Sequence, residues 1–104
     1  MTELKIYTGK KELLANIQCK SNNKFSVTRT ELCSDLFYNI AVPREPEISY
    51  KDILEWLEER ITPRTRYNID ELLEEWGLAE YDVEEIVKRT GASNIADDIQ
   101  VEIY

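Results

Sequence analysis

The chain predicts an α+β domain, and three observations carry that prediction. Apolar residues alternate with polar ones over the first 27 positions. Three amphipathic segments with start and stop signals follow between Tyr50 and Gly91, and alternation returns at Ile99, Val101 and Ile103. Period two is the signature of a half-buried strand, and a 3.6-residue period is that of a surface helix. The expected architecture is a small antiparallel sheet, an N-terminal meander plus the C-terminal strand, with a three-helix segment packed on it. The 104 residues fit one domain, 1–104, able to enclose one modest core.

Leu4 and Ile6 alternate with Lys5 and Tyr7, and Thr8-Gly9-Lys10 turns the chain. Leu13, Ala15, Ile17 and Cys19 share one side of a second strand. Ser21-Asn22-Asn23 is a turn cluster, after which Phe25 and Val27 resume the alternation. Cys33 to Ile40 has two open readings, a fourth strand or a buried loop, because Leu36, Phe37, Tyr38 and Ile40 fit no single period. Val42 to Pro46 is an extended connector, since residues before proline avoid the helical region.

Ser49 with Asp52 forms a capping box in which Asp replaces the usual Glu. Ile53, Leu54, Leu57 and Ile61 form the stripe of the first helix. The second helix has two possible starts: Thr62-Pro63, or Asn68 with Glu71 as a capping box. Its stripe is Ile69, Leu72, Leu73 and Trp76, which places Trp76 in the core, and Gly77 is its stop. Asp82 with Glu85 opens a third helix with Val83, Ile86 and Val87 inward, and Gly91 ends it. Ile95, Ile99, Val101 and Ile103 read as a last strand that returns to the N-terminal sheet.

The chemical inventory is thin. With no histidine and only Cys19 and Cys33, the chain has neither an imidazole base nor a good zinc ligand set. The two thiols are expected reduced and partly buried. Three scattered glycines make no phosphate-binding loop. Carboxylate pairs such as Glu55 with Glu59, or Glu71 with Glu75, lie on polar helix faces, where solvation rather than acid–base work is expected. The reading is a non-enzymatic protein with no cofactor and no metal. Apolar runs are too short for a membrane span, and Met1 to Lys11 lacks an apolar signal core, so a cytoplasmic location is expected.

Net charge is −8 and uneven: residues 1–44 carry +3, residues 45–85 carry −10 and residues 86–104 carry −1. The acidic middle disfavours direct nucleic-acid binding. The helix-Gly-helix spacing from Leu72 to Gly91 suggests a helix-turn-helix, but its second helix would meet phosphates with net negative charge. Arg60, Arg64 and Arg66 form a basic cluster. It has two readings, pairing with Glu58, Glu59 and Asp70 nearby, or contact with a phosphate or an acidic partner. Trp56 lies roughly 115° from the centre of its helix's stripe. It is either packed under the sheet or a loop, or it is an exposed interface anchor. Trp56, Arg60, Arg64 and Arg66 are the candidate interface residues.

The layout resembles the N-terminal subdomain of HipA-type toxin kinases and its free-standing form, the HipS-like proteins of three-gene toxin–antitoxin operons. The similar features are the strand–Gly turn–strand opening from Leu4 to Cys19, the Phe-Ser-Val strand at 25–27, and Trp56-Leu57 followed by the basic segment from Arg60 to Arg66. They continue with Leu72-Leu73 before Gly77-Leu78, and with Tyr81 to Gly91. The chain departs from the family at Ala96-Asp97-Asp98, where Gly-Ala is usual, and at Pro43 to Pro46. The resemblance implies an antitoxin or regulator that docks on a HipA- or HipT-like Ser/Thr kinase, with DNA binding left to a separate helix-turn-helix partner. Composition leaves one alternative, an acidic phage or mobile-element inhibitor that mimics nucleic acid and blocks a DNA-binding protein.

Overall fold

A computed structural model describes residues 1–93 and 97–104. Five strands form one antiparallel sheet in the order β4-β3-β2-β1-β5. They are β1 (Glu3–Tyr7), β2 (Leu13–Ser21), β3 (Lys24–Arg29), β4 (Glu47–Ser49) and β5 (Gln100–Ile103). A 3-10 turn (Glu31–Ser34) leads into α1 (Leu36–Ala41), and α2 (Tyr50–Glu58), α3 (Ile69–Trp76) and α4 (Val83–Thr90) follow β4. The α+β architecture, the three-stranded meander and the return of the last strand beside β1 all match the sequence pattern.

The alternation works as the pleat requires. Leu4 pairs across β1 and β2 with Ile17, Ile6 pairs with Ala15, and all four are fully buried. On the other flank of β1, Ile6 faces Val101 and Leu4 faces Ile103. The pairing slips between Ile6 and Tyr7, because Tyr7 sits opposite Leu13 while Ile6 sits opposite Ala15. Leu14 is the extra residue of this bulge and is fully enclosed beside Ala15. Its carbonyl accepts from Thr30 N at 2.9 Å and from the Cys33 thiol at 3.3 Å. Cys33 is buried, as read, whereas Cys19 is exposed on the outer part of β2, where residues 18–21 are all exposed.

Local signals set the helix boundaries. Ser49 Oγ accepts from Asp52 N at 3.1 Å, and the Asp52 carboxylate accepts from Ser49 N at 3.4 Å, closing the capping box. Asp82 caps α4 by accepting from Glu85 N. Gly77 and Gly91 end their helices in the left-handed region at φ 76° and 69°, where a side chain would be strained. Ile53, Leu57, Ile86 and Val87 are buried and meet the sheet's apolar face.

Two readings need correction, and two need refinement. Cys33 to Ile40 is neither a strand nor a buried loop but the 3-10 turn and α1. The connector over residues 42–46 leads into β4, a short edge strand that no reading placed, whose Ile48 pairs with Phe25. The second long helix starts at Asn68-Ile69, not at Thr62-Pro63, and its expected capping box is missing because the Asn68 side chain does not cap. Trp76 packs against the core as read but is half-buried, and Leu73 is the buried residue of α3. Ile95 lies outside the described residues.

Candidate protein interface

Of the four interface candidates, Arg60 and Arg66 line one hollow, and Trp56 lies against Arg60. Trp56, two residues before the end of α2, is half-buried and packs against the core. Its indole Nε1 donates to the Ala41 carbonyl at 3.0 Å, which fastens the C-terminus of α1. Of the two readings of Trp56, packing under a neighbouring segment is the one that describes it.

Arg60 is a structural clasp. Its side chain is 9% exposed, and both terminal nitrogens donate to the Asp97 carboxylate at 2.9 and 2.8 Å. The same guanidinium reaches the Ala92 carbonyl at 3.3 Å and lies 5.4 Å over the Trp56 ring. Asp97 in turn accepts from Ile99 N at 3.0 Å. The Arg60 hydrogen bonds hold the Asp97 carboxyl below the usual carboxylate range, against the opposing effect of burial. Arg60 therefore does pair, but with a carboxylate far along the chain rather than with Glu58, Glu59 or Asp70. Part of the group still borders a hollow of about 330 Å³ that Arg66 also lines.

Arg64 and Arg66 are exposed. Arg64 donates to Glu58 at 3.1 Å and lies 4.7 Å over the Tyr81 ring. Arg66 Nε donates to Asn68 Oδ1 at 2.9 Å, which takes the oxygen that would otherwise cap α3. Only these two of the four present cationic surface.

The structure instead exposes a face that periodicity did not resolve. Leu36, Phe37 and Ile40 of α1 are 73%, 47% and 67% exposed. Their signal in the sequence was four apolar residues within five positions of an otherwise polar stretch. The same helix turns Tyr38 and Ala41 inward, and Val42 behind it is fully buried.

The chain matches no protein-family model, no curated protein and no solved structure.

Among the described residues no group of three or more His, Cys, Asp or Glu side chains is placed to hold a metal ion. An open hollow of about 510 Å³ lies between the β2–β3 turn and Tyr50. Its lining offers asparagine amides, a serine hydroxyl, the Tyr50 ring and the Cys19 thiol. No helix of the described residues is long and apolar enough to cross a membrane.

Proposed function

We propose that this chain is a non-enzymatic binding protein of the cytoplasm that docks on another protein and regulates it. The observation that carries the reading is the apolar face of α1, three large side chains left in water on a helix whose opposite side is already packed. Exposed contiguous apolar surface on a small domain marks a place where another molecule sits. The partner we propose is a HipA- or HipT-like Ser/Thr kinase, and this choice rests on the resemblance of residues 4–91 to HipS-like antitoxins. A kinase surface rich in lysine and arginine suits a chain of net charge −8.

A second reading has its own support. Asp70, Glu71, Glu74, Glu75 and Glu80 are all exposed on and just after α3, a row of carboxylates that could imitate a phosphate backbone. One calorimetric titration separates the two. The protein is titrated into a purified HipA-like kinase with and without duplex DNA, and autophosphorylation is followed in parallel. Binding at a Kd of about 10 μM or tighter (about −7 kcal/mol), insensitive to DNA and accompanied by a changed kinase rate, is the expected result. No heat at about 100 μM removes the kinase reading, and binding abolished by duplex DNA favours mimicry.

A further inference from the structure

Four ties fix α1 in place. Asp35 caps it by accepting from Phe37 N at 2.9 Å. Trp56 holds its last carbonyl, and Arg29 donates to both Asn39 Oδ1 and the Asn39 carbonyl at 3.0 and 3.1 Å. The Tyr38 hydroxyl donates to Asp98 at 3.0 Å. These ties reach β3, α2 and the approach to β5, so the outward face is held without help from a ligand. A surface that is already ordered loses little conformational freedom on binding.

Leu36, Phe37 and Ile40 occupy positions i, i+1 and i+4, which places them on one side of the helix. A helix that is apolar on both sides is ordinarily enclosed on both. The surroundings decide what could enclose it. Asp35 stands at the start of the helix, Asp98 lies under Tyr38, and Glu12 approaches from the β1–β2 turn. Burial raises the Tyr38 pKa, and the hydrogen bond to Asp98 and the charges of Asp98, Asp35 and Glu12 raise it further. Arg29, the cation beside the helix, is turned onto Asn39.

We propose that the α1 face receives an amphipathic helix of the partner protein, with leucine-like residues on Leu36, Phe37 and Ile40 and flanking lysines or arginines against Asp35, Asp98 and Glu12. An apolar stripe laid on an apolar face supplies the contact, and opposite charge at the rim supplies specificity and encounter rate. A second copy of this chain is the poorer occupant. A two-fold contact through α1 would bring the same carboxylates together and join two bodies of net charge −8. This inference rests on the protein-binding reading and names the surface that reading needs.

The test uses the full chain, 15N-labelled, and two synthetic peptide helices of about five turns. Both peptides carry the same leucine stripe, one with lysines and one with glutamates on the polar side. The lysine peptide is expected to shift the amides of residues 36–41 first and to saturate. The glutamate peptide is expected to bind roughly tenfold more weakly or worse. Leu36→Ser with Ile40→Ser touches only exposed side chains, and should lower affinity for the lysine peptide by about tenfold or more while leaving the remaining spectrum in place. Phe37 is left alone because its ring packs edge-on against Tyr38 at 5.4 Å.

A shift map centred on the α3 carboxylates, or unchanged affinity in the double variant, overturns the proposal. So does sedimentation showing a dimer that the double variant breaks, which would make α1 a self-interface. The same variant titrated into the kinase separates the two levels of inference. If it still binds the kinase, the face is not the docking surface and the proposed function stands. If the wild-type chain takes the lysine peptide on α1 but ignores the kinase, the face stands and the kinase falls.

Discussion

Arg60 sits where three segments meet, and almost all of its side chain is out of water. Removing one partner of a buried ion pair leaves the other charged and unpaired, which costs about 3–5 kcal/mol. Arg60→Ala is therefore expected to lower the urea midpoint by an amount equivalent to about 3 kcal/mol or more, with an unchanged denaturant slope. Arg60→Lys should recover only part of the loss, because an ammonium cannot reproduce the two parallel bonds to Asp97. An Arg60→Ala protein as stable as wild type would show that the clasp is dispensable. The sequence makes Arg60 conspicuous but hides its role. Its near neighbours in the chain are acidic, and they are the partners that local reasoning offers. Asp97 is 37 residues away and becomes visible only when β5 folds back beside β1.

At the scale of single elements, the legible parts are those whose chemistry is local. Ser49 with Asp52, Asp82, Gly77 and Gly91 announce helix ends through atoms only a few residues apart. The meander is legible because one face of it is dry and the other wet. α1 is illegible for the opposite reason: its apolar residues point both ways, so no period emerges. β4 is too short, at three residues, to show a period at all. Asn68 begins α3 as one reading had it, yet Arg66 occupies the side-chain oxygen that a cap would use. Trp56 belongs to this scale too, since its work is to hold α1. Trp56→Phe keeps the ring and removes the Nε1 donor to Ala41. Losing one such bond, about 1 kcal/mol, should speed amide exchange across Leu36–Val42 several-fold and leave the central strands β1 and β2 as slow as before. Uniform acceleration along the whole chain would mean that the bond supports the entire fold instead of one helix.

For the whole molecule, acid and alkali act through different groups. Asp97 has a depressed pKa in the fold, so its contribution to stability is present above the ordinary aspartate value of about 3.9 and is lost as pH falls below it. Tyr50 behaves in the reverse sense. Burial, reinforced by its hydrogen bond to Glu84 at 2.9 Å, pushes its phenol up to about 12. Its contribution is complete below the ordinary tyrosine value of about 10 and is lost as pH rises from there towards 12. Melting temperatures measured across pH should show a plateau with a decline at each end. Tyr50→Phe should shrink the alkaline decline without moving the acid one. An alkaline limb identical in the variant would place that sensitivity on other tyrosines.

The order of strands in the sheet also sets a timetable. β1, β2 and β3 are joined by tight turns and can pair as soon as they exist. β5 must close a loop from Ile103 back to Leu4, across nearly the full length of the chain. Loop closure over such a span is entropically costly and slow compared with hairpin formation. Asp97 and Ile99 travel with β5, so the Arg60 clasp and the lid over β1 arrive together. Until they do, the Leu4–Ile6 side of the meander is an uncovered strand edge, open to pairing with a neighbouring chain. During synthesis, that edge stays bare until residues 100–103 emerge.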